Sequence, residues 1–341
     1  MRAALFKAAG QPLELADVEE PKPGYGEALV KVAACGVCAT DLHYLHGVPT
    51  FKKPPLILGH EVSGVVEEVG EGVEGVKPGD RVLIPPVLSC GACQRCREGR
   101  DNICEGMQMV GNNIDGGFAE YIKAPAKMLF KLPDELPLHE SCIISDAVST
   151  PFHAVKNRGA VRGGEWVAIL GCGGVGINAV QIAASLGASV IAIDIDGRKL
   201  QLAKQLGAVE TVNPAEVDLA KTVHQITGGA GVDAAFEIIG KPATLEQAFN
   251  LVKPGGRLVV VGYSAENWSM RVSRVMFREV TVLGSLGCRL AEYPTLINMV
   301  RMGRIKLEPV ISSRLKLEQV NEAMKNLEEG RVLGRQIIVV G

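Results

Sequence analysis

The sequence predicts an α/β fold with two domains, one rich in β-strands and one built on a doubly wound parallel sheet. Its 341 residues are enough for two domains, each with its own core. Short valine-rich segments broken by Gly and Pro run up to about residue 146, a pattern typical of strands and turns. From about Thr150 onward, strand patterns alternate with helix patterns, as in parallel sheets with helical crossovers.

The first domain contains several predicted strands. Examples are ALVKVAAC at 28–35, SGVVEEVG at 63–70 and DRVLIPPV at 80–87. Val recurs in all three segments, and β-branched residues favour strands. Because long helical patterns are few here, we expect a β-rich domain.

The second domain alternates between the two kinds of element. Strands are predicted at 166–170, 189–193, 210–212, 232–239, 257–262 and 280–286, and helices at 175–187, 198–207, within 215–227 and near 243–252. About six strands with crossovers form a doubly wound sheet. The tail adds helices near 291–302 and 317–329 and a strand at 336–340, and we expect it to return to the first domain. The predicted domains are therefore 1–146 with 288–341, and 147–287.

Composition narrows the partners and the location. The net charge is −2, which provides no basic surface for nucleic acid or an anionic membrane. No apolar run has membrane-spanning length, and the initial MRAALFKAAG lacks the pattern of a secretory signal. We therefore expect a cytoplasmic protein with no nucleic-acid or membrane partner.

Four cysteines lie within fifteen residues, in the run CGACQRCREGRDNIC. Cys90, Cys93, Cys96 and Cys104 follow the spacing C-x2-C-x2-C-x7-C. Four thiolates this close can complete a tetrahedron around one zinc ion, and a site closed in this way is structural. Disulfides are the alternative, but the total of nine cysteines is odd and the expected compartment is reducing.

A dinucleotide-binding turn follows the predicted strand at 166–170. The run GCGGVG at 171–176 is G-x-G-x-x-G between a strand and a helix. Gly171 allows the tight turn, Gly173 lets the backbone approach a pyrophosphate, and Gly176 allows close packing of helix on strand. The helix N-terminus then offers free N–H groups to the phosphates. The alternative is a glycine-rich turn without a ligand.

A carboxylate after the next strand favours NAD over NADP. Asp194 lies 18 residues after Gly176, where it can accept hydrogen bonds from both ribose hydroxyls and would repel a 2′-phosphate. Arg198 and Lys199 follow closely, and a basic residue there could tolerate a phosphate. The predicted cofactor-binding residues are Gly171, Gly173, Gly174, Val175, Gly176, Asp194, Lys199 and Gly262.

Two further segments carry candidate zinc ligands. One is CGVCATDLH at 35–43, and the other is GHE at 59–61. Thiolate and imidazole are suitable zinc ligands, and a catalytic zinc needs three protein ligands and an open position. Isolated Cys and His residues are more often packing residues, so neither segment alone identifies a site.

The sequence resembles a known enzyme family. The stretch GHEVSGVVEEVGEGV at 59–73 fits the signature G-H-E-x2-G-x5-G-x2-V. With the four-cysteine segment, the GVCATD segment and the GCGGVG turn in family order, the chain resembles the zinc-dependent medium-chain alcohol dehydrogenases over essentially its whole length. The resemblance implies a GroES-like catalytic domain, a Rossmann NAD-binding domain, and two zinc ions per subunit, one catalytic and one structural.

The resemblance also implies the ligands of the catalytic zinc. Cys38 and His60 would be the first two. The third usually lies four residues before the Thr that opens the nucleotide domain, which selects Asp146. Many relatives have Cys at this position and some have Asp. Cys142 is a weaker alternative, four residues out of register.

The remaining site residues are likewise carried over from the family. Glu61 would be a fourth, exchangeable ligand, and Asp41 would orient His60. Thr40 would contact the substrate oxygen, and His43 would be the outer member of a proton relay. The simpler alternatives are helix caps for Thr40 and Asp41 and a surface position for His43. Structural or surface roles are predicted for the other histidines and isolated cysteines, His46, His139, His153, His224, Cys35, Cys172 and Cys288.

These parts imply interconversion of an alcohol and its carbonyl compound by hydride transfer to or from NAD. Zinc would stabilise charge on the substrate oxygen, and a proton would leave through Thr40 and the cofactor ribose to His43. We expect the substrate to bind in the cleft between the domains. A polyol, sugar, threonine or aldehyde–glutathione dehydrogenase on the same scaffold is the first alternative. A nucleotide-binding protein without turnover is the second, and a zinc-free reductase is disfavoured because the ligands are present.

Substrate and assembly are less well defined by the sequence. By register, Val48, Pro86, Met109 and Leu286 would contribute to a mostly apolar pocket, which favours medium or larger secondary or cyclic alcohols over sugars. The resemblance implies an oligomer, with a homotetramer expected and a homodimer as the alternative. The strand at 280–286 is a candidate for sheet extension between subunits.

Overall fold

The computed structural model describes residues 1–341, which form two compact units. Residues 1–149 and 287–341 make up the first unit, and residues 150–286 make up the second. The first junction lies three residues after the predicted boundary, and the second lies one residue before it. None of the helices combines the length and apolar character needed to cross a membrane.

The elements are as follows. The strands are β1 Arg2–Phe6, β2 Glu14–Asp17, β3 Glu27–Val37, β4 Leu56–Ile57, β5 Glu61–Val69, β6 Arg81–Ile84, β7 Val87–Leu88, β8 Gln108–Met109, β9 Tyr121–Pro125, β10 Phe130–Lys131, β11 Trp166–Leu170, β12 Ser189–Ile193, β13 Glu210–Val212, β14 Val232–Glu237, β15 Val252–Val260, β16 Thr281–Gly284, β17 Ile311–Lys316 and β18 Arg335–Val339. The α-helices are α1 Ala39–Leu45, α2 Gln94–Arg97, α3 Ser149–Phe152, α4 Gly174–Ser185, α5 Gly197–Gln205, α6 Leu219–Ile226, α7 Pro242–Leu251, α8 Val272–Arg278, α9 Tyr293–Arg301 and α10 Val320–Glu328. A π-helix, His153–Arg158, continues α3.

The first unit is built around a seven-stranded sheet. Its order is β10-β6-β5-β3-β18-β17, with β9 also paired to β3. The last strand, β18, pairs antiparallel with β3, so the tail returns to this unit as expected. Smaller sheets of order β2-β1-β4 and β7-β8 complete it. The core is formed by fully buried side chains such as Val30, Val32, Val62, Val82 and Phe118.

Strand register brings distant segments of the first unit together. Gly36, near the end of β3, pairs with Glu61 at the start of β5. Cys38 lies two residues after Gly36 and His60 lies one residue before Glu61, so this pairing brings the two segments close together. On the other side of β3, Gln336 of β18 pairs with Val37. Residues from three parts of the chain therefore meet at one end of this sheet.

The second unit contains one six-stranded parallel sheet of order β13-β12-β11-β14-β15-β16. The chain winds outward from β11 in one direction and from β14 in the other, which is the doubly wound topology predicted from the sequence. The α/β fold class is thus confirmed. Ligands of such sheets bind beyond the carboxyl ends of the strands where the winding reverses. At that point Leu170 of β11 pairs with Glu237 of β14.

Several predicted boundaries differ from the structure. The segment 80–87 is two strands, β6 and β7, because consecutive prolines at 85–86 interrupt the ladder between them. β15 begins at Val252 rather than residue 257, and its pairing with β14 is irregular between Val252 and Arg257. The helix predicted at 317–329 starts as a 3-10 turn, and its α-helical part begins at Val320. The sequence patterns did not indicate β1, β2, β17, α1 or α8.

Candidate metal centres and cofactor site

The four clustered cysteines have the geometry of a closed zinc site. Sulfur–sulfur distances are 3.5 Å for Cys93–Cys96, 3.8 Å for Cys93–Cys104 and 3.9 Å for Cys90–Cys96. A regular tetrahedron with Zn–S bonds of about 2.3 Å has sulfur–sulfur edges of about 3.8 Å. A disulfide requires a separation of about 2.05 Å. The geometry therefore fits a metal and does not fit disulfides.

Backbone N–H groups point at these sulfurs and favour their ionised form. The Cys90 sulfur accepts from the backbone N–H groups of Ala92 at 3.4 Å and Cys93 at 3.3 Å. These two bonds and the Cys104 thiol lower the pKa of Cys90 to about 6. Cys96 behaves oppositely, because burial and the neighbouring sulfurs raise its pKa to about 12. Zinc binds thiolates, so the hydrogen bonds to Cys90 favour the ionised form that binds the metal.

A second group of possible ligands lies at the end of the large sheet. Cys38, His60, Glu61 and Asp146 each offer one donor atom, and these atoms all lie within 4.8 Å of one another. The Asp146 Oδ2 atom is 3.6 Å from His60 Nε2 and 4.0 Å from the Cys38 sulfur. Tetrahedral zinc with bonds of about 2.0–2.3 Å separates its ligand atoms by about 3.3–3.8 Å. Sulfur, imidazole nitrogen and carboxylate oxygen are all zinc donors, so this set fits the metal.

Asp41 joins the two segments that carry Cys38 and His60. Its side chain is fully buried on α1, which begins directly after Cys38. One carboxylate oxygen accepts from the Cys38 backbone N–H at 2.9 Å, and the other accepts from the Gly59 backbone N–H at 3.2 Å. The latter oxygen is also 3.6 Å from His60 Nδ1. One carboxylate therefore positions both segments and faces the ring nitrogen opposite the one near Asp146.

Negative groups surround the His60 imidazole. Burial alone lowers its pKa, but Asp41, Cys38 and Asp146 together raise the pKa well above its ordinary value. A divalent cation held between these groups would neutralise the same negative charge.

Glu61 is held by a buried arginine from the last strand. Arg335 donates to Glu61 Oε1 at 2.7 Å, and both side chains are almost fully buried. The other oxygen, Oε2, is buried and has no hydrogen-bond partner. Burial and the nearby Asp146 outweigh Arg335 and raise the pKa of Glu61 to about 7. A metal ion within reach would provide the partner that this oxygen lacks, so Glu61 Oε2 also fits a cation beside it.

The glycines of the turn at 171–176 differ in their local geometry. Gly171 has a φ of +93°, which favours glycine. A Cβ on Gly176 would lie 1.7 Å from the Gly171 carbonyl oxygen, so only glycine fits between helix and strand. At Gly173, the N-cap of α4, a Cβ would meet nothing within 4 Å. Gly174 and Val175 form the first turn of α4, whose N–H groups are free for phosphates.

Asp194 is fixed beside this turn at the end of β12. Its Oδ2 accepts from the Cys172 backbone N–H at 2.7 Å, and its Oδ1 accepts from the Asp196 backbone N–H at 2.9 Å. The Arg198 guanidinium is engaged by Asp196, at 3.0 and 2.7 Å. Lys199 is half-buried in the first turn of α5. A cavity of about 340 Å³ adjoins Asp194, with Ile193, Ile239 and Thr244 among its lining residues.

Comparisons with known proteins agree with this geometry. Residues 24–134 match the family model described as "Alcohol dehydrogenase GroES-like domain", and residues 174–301 match that described as "Zinc-binding dehydrogenase". An alcohol dehydrogenase of Geobacillus stearothermophilus is 40% identical over the whole of both chains. The chain belongs to the zinc-dependent medium-chain alcohol dehydrogenase family.

The chain is also similar to two further dehydrogenases. The crystal structure of the Aeropyrum pernix alcohol dehydrogenase has a TM-score of 0.93 and 37% identity, covering 99% of this chain and 100% of that one. An L-threonine 3-dehydrogenase of Pyrococcus horikoshii is 34% identical, covering 97% of this chain and 96% of its own. These similarities confirm the predicted enzyme class, an NAD-dependent zinc alcohol dehydrogenase, and its predicted cofactors, zinc and NAD.

Thr40 and His43, the dehydrogenase residues predicted to move the proton, lie on one short helix. They are three residues apart on α1, so their side chains share a helix face. The pKa of His43 is lowered because burial disfavours its charged form and His46 repels it, although Asp41 opposes this. The imidazole therefore stays neutral to lower pH than usual and can accept a proton.

Cys142, the alternative third ligand, lies outside both groups of donors. It is fully buried, and burial raises the pKa of its thiol well above the ordinary value. Asp146 is the residue that the structure brings to Cys38 and His60.

Two buried charged residues that contact predicted site residues were missed by sequence reasoning. One is Arg335, which the predicted strand at 336–340 left out by one residue. The other is Glu237, fully buried at the end of β14, which accepts from the Gly240 N–H at 2.9 Å and the Thr244 hydroxyl at 2.7 Å. Its carbonyl also accepts from the N–H of Gly262, where a Cβ would lie 2.3 Å from the Gly240 nitrogen. A charged residue at one end of an apolar strand, the first residue of β18 and the last of β14, was the available signal in both cases.

Proposed function

We propose that this chain oxidises secondary alcohols to ketones with NAD, and catalyses the reverse reduction, at the site formed by Cys38, His60 and Asp146. The observation that carries the proposal is the set of sulfur, imidazole and carboxylate donors whose atoms lie within 4.8 Å of one another, with Cys38 and His60 buried and Asp146 partly buried. Zinc bound there would supply a Lewis acid for the substrate oxygen. The test is zinc content and NAD-linked turnover of the purified chain. One zinc per chain, in the four-cysteine cluster alone, would contradict the proposal.

The protein residues would divide the remaining work. Cys38, His60 and Asp146 would hold the metal, while Asp41 fixes the backbone of the first two ligand segments. Glu61 would be a fourth, exchangeable ligand of the metal. One of its oxygens is held by Arg335, and the other has no hydrogen-bond partner. Thr40 would accept the hydrogen bond of the alcohol and pass its proton towards His43.

The pH dependence of turnover tests the role of His43. Because burial and His46 lower its pKa, the neutral base should persist below pH 6.5, and kcat/KM should fall only as the pH drops through this lowered value. In His43→Ala we expect kcat/KM to fall about 10–100-fold and this acid limb to disappear. His224→Ala serves as the control, since His224 is exposed on α6, where its ring lies 3.0 Å from the Gly229 carbonyl, and does not affect the pKa of His43. An unchanged acid limb in His43→Ala would assign the proton acceptor elsewhere.

Asp194 is proposed to select NAD over NADP. In Asp194→Asn the repulsion of a 2′-phosphate is lost, while one acceptor oxygen remains for the neighbouring N–H groups. We expect the ratio of kcat/KM for NAD to that for NADP to fall at least about tenfold, which corresponds to about 1.4 kcal/mol. Asp218→Asn, at the N-cap of α6, is the matched control. An unaltered ratio would mean that another group excludes the phosphate.

The substrate class follows from the apolar character of the predicted pocket. Pro86 is buried and its carbonyl accepts from the N–H of Val110, while Met109 pairs with Val87 in the β7–β8 ladder. Val48 lies half-exposed in the segment after α1. Because the side chains of Val48, Pro86 and Met109 are all apolar, they favour a secondary or cyclic alcohol. The similarity to an L-threonine 3-dehydrogenase makes L-threonine the second candidate. A panel of aliphatic and cyclic alcohols, polyols and L-threonine separates them by kcat/KM.

A homotetramer in the cytoplasm is proposed, with a homodimer as the alternative. β16 is the last strand of its sheet and is largely exposed, and α8 exposes Val272 and Phe277. Such an edge is available for pairing with a second copy. Light scattering on the purified chain distinguishes four copies, two copies and one, and a monomer at micromolar concentration would contradict the assembly.

A further inference from the structure

We propose that the Tyr293 hydroxyl, together with Ser149 and Ser145, is a positioning group that sets the place of Asp146 in the catalytic metal site. The inference rests on the proposed function, since it concerns the geometry of a metal ligand. None of the three side chains offers an atom to the donor set itself. Their importance lies in the backbone immediately before Asp146.

The Ser145 carbonyl receives two buried hydrogen bonds. Tyr293 Oη donates to it at 2.8 Å, and Ser149 Oγ donates to it at 2.7 Å. The two hydroxyl oxygens lie 3.2 Å apart, and all three residues are essentially fully buried. This carbonyl belongs to the planar peptide group that also contains the nitrogen of Asp146. Holding the carbonyl therefore fixes the plane from which the Asp146 side chain extends.

The Ser145 side chain connects the same peptide to the rest of the metal site. Its hydroxyl donates to the Ile84 carbonyl at 2.5 Å and lies 3.3 Å from the carbonyl of His60. Asp146 and His60 are thus related through one serine as well as through their own side chains. A shift of the segment before Asp146 would disturb the 3.6 Å separation of Asp146 Oδ2 and His60 Nε2.

Tyr293 can act in this way because its ring is fixed. It stacks on Phe130, with ring centroids 4.8 Å apart and an angle of 19° between the planes. Phe130 lies in β10 and pairs with Leu83 of β6, next to Ile84, whose carbonyl accepts from Ser145. The position of the Tyr293 hydroxyl is therefore fixed by packing against a strand of the large sheet. Partners that orient metal ligands typically change metal affinity or activity 10–100-fold when removed.

The test is the affinity of the catalytic site for zinc in the full chain, measured by competition with a chelator. Tyr293→Phe removes one donor to the Ser145 carbonyl but keeps the ring on Phe130, and we expect about tenfold weaker binding. Tyr293→Phe with Ser149→Ala removes both donors, and we expect about 100-fold weaker binding. Cobalt(II) in the catalytic site provides a second readout, since its d–d absorption bands should shift when the carboxylate ligand moves.

Ser141→Ala is the matched control. Ser141 is also fully buried and donates to one backbone carbonyl, that of Pro137 at 2.7 Å, but it is not linked to a metal ligand. The proposal is supported if only the Tyr293 and Ser149 variants lose catalytic-site affinity and the four-cysteine site keeps its zinc. It is overturned if Tyr293→Phe binds zinc with unchanged affinity and cobalt spectrum, or if Ser141→Ala loses as much. If the unaltered chain holds only one zinc, the proposed function itself fails.

Discussion

Replacement of Cys38 with serine is expected to lower alcohol-dependent NAD reduction by about 1,000-fold or more. Stabilisation of charge on the substrate oxygen by a metal contributes several kcal/mol, and each 1.36 kcal/mol corresponds to about a factor of ten. Serine keeps the size of the side chain but offers a hydroxyl that is a much poorer zinc ligand than a thiolate. Zinc analysis should give one metal per chain in this variant, in the four-cysteine cluster, and kcat/KM should fall with it.

Cys35→Ala is the control for this experiment. Cys35 is fully buried three residues before Cys38, yet its thiol lies outside the donor set and donates weakly to the Gly36 carbonyl at 3.6 Å. We expect this variant to keep both zinc ions and most of its turnover. Turnover of Cys38→Ser near the unaltered level, after loss of the second zinc, would exclude the proposed role of the metal.

The parts of the site that are local in sequence could be predicted without a structure. Cys90 and Cys104 are only 14 residues apart, and the dinucleotide turn occupies six residues between a strand and a helix. In both cases the spacing itself determines which groups can meet. Three strands of the parallel sheet, β11, β12 and β13, have the predicted bounds. β11 and β12 are short, mostly apolar runs between turn residues, which makes their ends visible in the sequence.

The catalytic donor set required information beyond spacing. Cys38, His60 and Asp146 come from three segments, and only resemblance to a family indicated that they share one site. The structure accounts for the meeting of Cys38 and His60, since Gly36 pairs with Glu61 across β3 and β5. No periodicity in the sequence specifies that register.

Two residues that support the site, Arg335 and Tyr293, make contacts that no spacing in the sequence specifies. Arg335 lies 274 residues from Glu61, and Tyr293 lies 148 residues from Ser145. Each contact depends on how the tail packs against the first part of the chain. β17 was missed for a related reason, because ISSRLK is too polar for a strand pattern and is held by its pairing with β18. Long-range packing, rather than local preference, decides these features.

The second large effect is expected for the structural metal. Cys104 is the most buried of the four clustered cysteines, and its sulfur accepts from the Cys90 backbone N–H at 3.3 Å. In Cys104→Ser we expect the loss of this zinc and a fall in melting temperature of about 10 °C or more, since losing a structural metal ranks among the largest single-residue effects. Thermal unfolding with zinc analysis measures both. Cys288→Ser is the control. Cys288 is a buried thiol of the same unit that donates to Glu292, and a serine hydroxyl can also donate this hydrogen bond.

The same variant separates the roles of the two metals. The small helix α2 lies inside the segment from Cys90 to Cys104 and is only four residues long, so it has little apolar surface with which to hold its own shape. Removing the metal should therefore disorder this segment, and with it the assembly, before it affects the donor set of Cys38, His60 and Asp146. We expect the fraction of Cys104→Ser that stays folded to transfer hydride with kcat close to that of the unaltered chain. A loss of kcat without loss of stability would reverse the assignment and place the four-cysteine zinc in the reaction.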